Sequence, residues 1–248
     1  MPLIETEAIV LRTYRLGESD KIASLLTRQL GRVRAVAKGA FSKRGRYGAA
    51  LEPLSYIRIW VYDRENRDLQ RVGSAEIVES FFEMQRDYRV QLAAQYLAEV
   101  TERFLPDREV NERVFRLLLA VLRAFKQFGE VNRPLLFFDY WLLRLGGFLP
   151  DLSRCMACQR PFAGEDGFYD AGSVALVCER CRSSASADRI ATEALELIPV
   201  FRSAPIEEWI QKETAPAGTR ELRRMLEQII EVHVEKKIAT RAMLADEI

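Results

Sequence analysis

The side chains best suited to chemistry are four cysteines, the only ones in 248 residues, arranged as Cys155-Met-Ala-Cys158 and, nineteen residues on, Cys178-Glu-Arg-Cys181. Each CxxC turn presents two sulfurs from one tight loop, and two such knuckles at this separation match the tetrahedral four-sulfur set that suits zinc. The segment Phe168–Val177 between them can form a hairpin that brings the knuckles face to face. Two disulfides, a redox CxxC and an iron–sulfur cluster compete with zinc, and a reducing cytoplasm would count against the disulfides. A zinc closed by four thiolates leaves no position for water or substrate, so the expectation is one structural zinc per chain.

Other reactive groups are scarce. His233 is the single histidine, which speaks against triads, imidazole acid/base pairs and catalytic zinc. It sits among Ile230, Val232 and Val234 and reads as a half-buried helical side chain. Glu18 and Asp20, flanked by Gly17 and Ser19, fit a turn better than a catalytic carboxylate pair. The phosphate-cradling pattern GxxxxGK[ST] is absent, so any nucleotide turnover would fall to a partner. The expectation is a protein that is not an enzyme.

The elements that must position these groups follow from composition and periodicity. With 37 Lys+Arg against 36 Asp+Glu the net charge is +1, and 48% of residues are hydrophobic. A uniformly basic binder and an acidic disordered chain are both excluded, and a core is available. Met1–Glu7 carries two glutamates and no basic stretch, and apolar runs such as Leu117–Leu122 fall far short of the roughly 20 residues of a membrane helix. A soluble cytoplasmic protein is expected.

Glu7–Arg15, Lys21–Arg28, Arg32–Lys38, Tyr56–Tyr62 and Asp68–Ile77 are short, rich in β-branched and aromatic residues, and separated by Gly17, Gly31 and Gly39. Five such strands predict a small antiparallel barrel. Alternation puts Ile57, Ile59 and Val61 on one face and Arg58, Trp60 and Tyr62 on the other, and likewise sets Arg32, Arg34 and Lys38 opposite Val33, Ala35 and Ala37. From about Ser80 the period turns helical, over Ser80–Leu105, Val110–Phe128 and Leu135–Leu145, the last stopped by Gly146-Gly147. Thr192–Ile210 and Thr219–Leu244 resume it, with Lys236, Lys237 and Arg241 expected at the negative end of the final helix. The fold class is α+β: a barrel over residues 1–79, a helical domain over 80–150 and 186–248, and a metal-binding insert over 151–185.

Charge is uneven despite the balance. Residues 1–80 hold 14 basic and 10 acidic side chains, and between Asp20 and Glu52 lie Lys21, Arg28, Arg32, Arg34, Lys38, Lys43, Arg44 and Arg46 with no acid at all. A near-neutral protein thus carries a local cation.

The order EAIVLR, GESD, LLT, GRVRAVAKGA, LEP, a helical middle, and PDL followed by the two CxxC knuckles resembles the bacterial RecO family of DNA repair and recombination proteins, over nearly the whole chain. Gln159 and Gly172-Ser173 depart from the glycines common in that pattern, without removing a ligand. The resemblance implies an N-terminal five-stranded OB-fold packed on a helical domain with a zinc-binding insert. It implies a recombination mediator that binds single- and double-stranded DNA, anneals complementary strands and, with RecR, helps load RecA onto DNA coated by single-stranded DNA-binding protein (SSB). Implied partners are RecR and the SSB C-terminal tail, with RecF a further candidate, and the implied location is the cytoplasm at the nucleoid.

Binding DNA without reading sequence requires cations that track phosphates and rings on which bases stack. Arg32, Arg34 and Lys38 on one strand, with Lys43, Arg44 and Arg46 in the following loop, are the expected phosphate contacts. Phe41 and Tyr47 are the expected stacking rings, and Trp60 is expected to pack. Two other classes fit parts of the sequence. A zinc-ribbon factor would want cations around its knuckles, yet residues 151–186 hold 4 basic against 5 acidic side chains. A zinc-stapled docking scaffold would work through its helices and bind no DNA.

Overall fold

The strands β1 (Leu3–Leu16), β2 (Asp20–Thr27), β3 (Gly31–Ala37), β4 (Tyr56–Tyr62) and β5 (Leu69–Glu79) close into a five-stranded OB-fold barrel in the order β1-β2-β3-β5-β4. A three-stranded sheet of β6 (Gly167–Asp170), β7 (Ala175–Cys178) and β8 (Asp188–Ile190) lies further along. The helices are α1 (Tyr88–Phe104), α2 (Glu112–Phe128), α3 (Asn132–Gly146), α4 (Thr192–Leu195), α5 (Leu197–Ser203), α6 (Ile206–Ile210), α7 (Thr219–His233) and α8 (Ala239–Ala245). This computed structural model describes residues 2–42, 47–63, 67–211 and 217–245. It comprises two units, residues 1–129 with 238–248, and residues 130–237. Among the described residues no helix is long and apolar enough to cross a membrane.

In the first unit the expected alternation decides which side chains fill the barrel. Val33, Ala35 and Ala37 of β3 and Ile57, Ile59 and Val61 of β4 are buried, whereas Arg34 and Arg58 face out. Removing each larger aliphatic side chain from water contributes roughly 1.5–3 kcal/mol. β1 starts earlier than its pattern predicts because Leu3–Thr6 pair with Tyr62–Ile59, and a register shift between Val10 and Arg12 bends it. β3 and β5 close the barrel through a short parallel seam, Arg34↔Leu69, Ala35↔Gln70 and Val36↔Arg71.

The helices of this unit begin where side chains cap them. Asp87 accepts from Arg89 N at 2.9 Å to open α1, after a short 3₁₀ turn where sequence predicted helix from Ser80. Asn111 Oδ1 accepts from Val114 N at 3.1 Å to open α2, and Gly129 closes it in the left-handed region.

Glu99 of α1, only 1% exposed, holds the last segment in place. Its carboxylate accepts from Ala239 N (3.1 Å), Thr240 N (3.0 Å) and Thr240 Oγ1 (2.8 Å), and Arg103 lies 2.9 Å away. Burial pushes the carboxyl up, but the Thr240 and Ala239 donors and Arg103 outweigh it and hold the group below its usual range. A lowered folded pKa adds stability above the unfolded value of 4.5 that is lost as pH falls through the folded one. Glu99→Gln is therefore expected to cost about 2–3 kcal/mol at neutral pH, with the gap in thermal midpoint closing in acid; equal midpoints at pH 7 would refute this.

In the second unit α3 is buried on nearly every side, as its apolar run predicts, and Gly147 ends it at φ 79°. Trp209 Nε1 donates to Arg133 O at 3.0 Å, and its ring meets Phe201 at 4.7 Å between centroids. The helix predicted over Thr192–Ile210 is three short ones, with Pro205 at the last break. The helix predicted over Thr219–Leu244 ends at His233, with Glu235 left-handed at φ 53°. Lys236 and Lys237 therefore lie beyond α7 rather than in the last turn of a final helix.

Candidate nucleic-acid interface and metal centre

One end of the barrel gathers cations and rings. Arg34 and Lys38, with Val36 between them, face outward from β3, and the parallel seam sets Leu69 and Arg71 beside them. Lys38, Tyr62, Arg67 and Arg71 line a cleft of about 690 Å³ there together with two acids, Asp20 and Asp68. The Arg71 guanidinium lies 5.7 Å from the Tyr62 ring centre. At the rim Phe41 is 48% exposed, with Arg15 at 5.5 Å and Lys21 Nζ at 5.0 Å from its ring.

Local hydrogen bonds hold that rim. Phe41 N donates to Ser19 O at 2.9 Å, and Asp20 Oδ1 accepts from Gly39 N at 2.8 Å and Ser19 Oγ at 3.0 Å. The Gly39 N–H and the Ser19 hydroxyl keep the Asp20 carboxyl below its usual range. Asp20 thus works as a turn residue, in line with the reading of the GESD segment.

The expected site residues separate. Lys38 is exposed and lines this cleft, Arg34 is exposed opposite its Leu69, and Phe41 is exposed after β3. Arg32 shares their parity, but its Nε donates to Leu105 O at 2.9 Å and its guanidinium pairs with Asp107 at 3.0 Å. That tie makes Arg32 a bracket between β3 and the α1–α2 loop. Tyr47 is 4% exposed, with its hydroxyl donating to Val72 O at 3.3 Å, so its ring belongs to the barrel core and offers bases no face. Lys43, Arg44 and Arg46 lie outside the described residues. Trp60 is half-buried on the outer face of β4. Sequence reasoning passed over Arg15, Arg67, Arg71 and Tyr62 as site residues. Arg71 was the most findable, since it lies within the predicted strand Asp68–Ile77.

The cysteines converge as their spacing predicts. β6 and β7 form the hairpin, with Gly167 opposite Cys178. The sulfurs of Cys155, Cys158, Cys178 and Cys181 all lie within 4.8 Å of one another, and Cys158 and Cys178 are 3.9 Å apart. Tetrahedral zinc with bonds of about 2.3 Å sets sulfurs about 3.8 Å apart. Cys158 N points at Cys155 Sγ from 3.5 Å.

Burial raises the Cys155 thiol, but backbone N–H groups of Cys158, Cys178 and Ala157 outweigh it and bring the pKa to about 6, whereas contacts with the Cys178 and Cys158 thiols push Cys181 up to about 12. Four thiols this close cannot all ionise alone, and a divalent soft-ligand metal is what lets them. The residues therefore fit zinc.

Cations around this cluster are largely spent. Arg154 pairs with Asp151, Arg160 with Glu165 and Arg182 with Glu179. His233 stacks on Phe148 with ring centres 3.5 Å apart, and burial holds its imidazole below the ordinary range.

The models described as Recombination protein O N terminal and Recombination protein O C terminal match residues 1–81 and 85–242. The chain is 40% identical over 242 residues to a DNA repair protein RecO of Koribacter versatilis (strain Ellin345), covering 98% of each chain. It is 32% identical to one of Anaeromyxobacter dehalogenans (strain 2CP-C) and 30% to one of Anaeromyxobacter sp. (strain K), each covering 100% of this chain and 98% of the relative. With an OB barrel, a helical part and a four-cysteine cluster in one sequence matched along its length, the chain belongs to the RecO family of DNA repair proteins.

Proposed function

We propose that the chain is a recombination mediator that binds single- and double-stranded DNA without sequence preference, anneals complementary strands and, with RecR, helps load RecA onto SSB-coated DNA in the cytoplasm. The observation that carries this reading is the cleft at one end of the barrel, where Lys38, Arg67 and Arg71 beside the Tyr62 ring outnumber Asp20 and Asp68, with Arg34 exposed opposite the cleft's Leu69 and Phe41 exposed after β3. Such a surface neutralises phosphates and stacks bases while leaving their pairing edges unread. Two single strands repel through their backbones, so screening that charge lets the free edges find each other without a nucleophile or a nucleotide triphosphate.

Each region takes a share. The barrel, residues 1–79, contacts DNA, and Lys43, Arg44 and Arg46 are proposed as further phosphate contacts from the sequence alone. The helices of 80–150 and 186–248 meet the SSB tail, and RecR is a partner of the chain, with RecF a further one. Cys155, Cys158, Cys178 and Cys181 hold one zinc that fixes the 151–185 insert. The zinc would supply cross-linking alone, with no open position for catalysis.

Anisotropy of a labelled oligothymidine against salt tests the reading. Arg34→Ala/Lys38→Ala/Arg71→Ala is expected to weaken binding by at least tenfold and to shrink the slope of log K against log salt by roughly 0.7 per lost phosphate contact. An unchanged affinity and slope would move the DNA surface elsewhere, and a wild type that binds no strand at low salt would end the mediator reading.

A further inference from the structure

The cleft lies where β3 ends, and a second cationic surface lies where β3 begins. At that opposite end of the barrel α2 packs across the strand termini: Phe115 meets Tyr56 edge-on at 6.1 Å, Arg123 sits 6.0 Å over the same Tyr56 ring, and Glu112 takes Arg28 at 2.9 Å. The inner face of α2 is apolar, from Val114 to Phe125. Its outer face carries Arg113, Arg116, Arg123 and Lys126, all exposed and on one side of the helix.

The charge here is not the usual mixed, solvated kind. Glu112 is the only acid on α2 and it answers Arg28; Glu79 answers Arg123 and Lys126 together. Among the described residues Arg113 and Arg116 have no ion pair or hydrogen bond. Four cations with one shared counter-charge run over fourteen residues, roughly 20 Å of helix. An exposed row of that length and sign fits the phosphates of a nucleic-acid backbone, and its planar guanidinium groups suit bidentate contacts.

We propose that the outer face of α2 is a second nucleic-acid surface that holds one strand while the barrel cleft holds another. The inference rests on the cleft reading and extends it. β3 spans seven residues, so the two surfaces sit on the order of 20 Å apart along the barrel. Two complementary strands on one chain then meet as an intramolecular pair, at the millimolar effective concentration that short tethers give. The cleft explains how one strand is screened; the α2 row explains how a second is brought to it.

Two non-complementary oligothymidine and oligocytidine strands, one carrying a donor and one an acceptor fluorophore, report simultaneous capture by energy transfer. Wild type is expected to give transfer. Arg113→Glu/Arg116→Glu is expected to cut it at least fivefold while single-strand affinity by anisotropy stays within twofold, and Arg113→Lys/Arg116→Lys is expected to retain it. Because neither arginine has an ion pair or hydrogen bond among the described residues, circular dichroism of both variants should match wild type.

Undiminished transfer in the glutamate variant overturns the proposal while the cleft reading stands. Loss of single-strand binding and transfer together also overturns it, since the row is then part of one strand path. Displacement of an acidic poly-glutamate peptide from the row, with transfer unaffected, assigns the row to a protein partner and overturns it too. No single-strand binding by wild type removes both readings at once.

Discussion

Cys155→Ser is expected to reduce zinc from one per chain to a trace, as read by elemental analysis, and to unravel the β6–β7–β8 sheet. Cys155 is fully buried and is bound by backbone at several points: its own N–H donates to Arg160 O at 2.8 Å, and Met156 N donates to Leu176 O at 3.0 Å on the facing strand. The three strands are short, so little apolar surface exists to keep them together without the metal. Structural zinc binding in small modules is worth about 10–16 kcal/mol at neutral pH, and most of that free energy is lost when one of four ligands can no longer bind as a thiolate. Limited proteolysis should open sites within residues 151–185 of the variant that are closed in wild type. A variant with no zinc and an equally protected insert would show that the cysteines do not staple this segment.

Gly31→Ala is expected to cost about 3–4 kcal/mol in chemical denaturation. Gly31 opens β3 at φ 67°, and a Cβ there would stand 2.3 Å from Glu109 O, a backbone atom that cannot swing aside. The α1–α2 loop would have to retreat, and with it the bonds that loop makes to β3: Arg108 N to Arg32 O at 2.9 Å and Arg32 Nε to Leu105 O at 2.9 Å. Gly129 supplies the control, because it has nearly the same φ, 63°, and open space where a Cβ would go. Gly129→Ala should cost only about 1 kcal/mol, the conformational part alone. Equal losses at the two positions would mean that the close approach of Glu109 contributes nothing.

What could be read from the sequence was what depends on neighbours in the chain. The inward faces of β3 and β4 follow from alternation over seven residues each, and the cysteine cluster follows from two CxxC turns joined by a hairpin. Arg32 and Tyr47 went astray for the opposite reason. Parity puts Arg32 with Arg34, but the carbonyl and carboxylate that claim it, Leu105 and Asp107, lie more than seventy residues away. Tyr47 sits in a polar, glycine-containing stretch that reads as exposed, yet Val72 on β5 accepts its hydroxyl. The break after His233 has no proline or glycine to announce it, and the carboxylate that receives the start of α8 is Glu99, 140 residues earlier. Arg71 and Tyr62 were missed because only closure of the barrel sets β5 beside β3.

Glu99 ties the order of synthesis to the order of folding. The residues it grips, Ala239 and Thr240, leave the ribosome after every residue of the unit spanning 130–237 has been made. During translation the α1 carboxylate must therefore wait with, among the described residues, Arg12 and Arg103 to answer its charge. The first unit begun is thus the last one finished, and a nascent chain stalled before Ala239 would carry a barrel whose supporting helix still has an open, ionised socket.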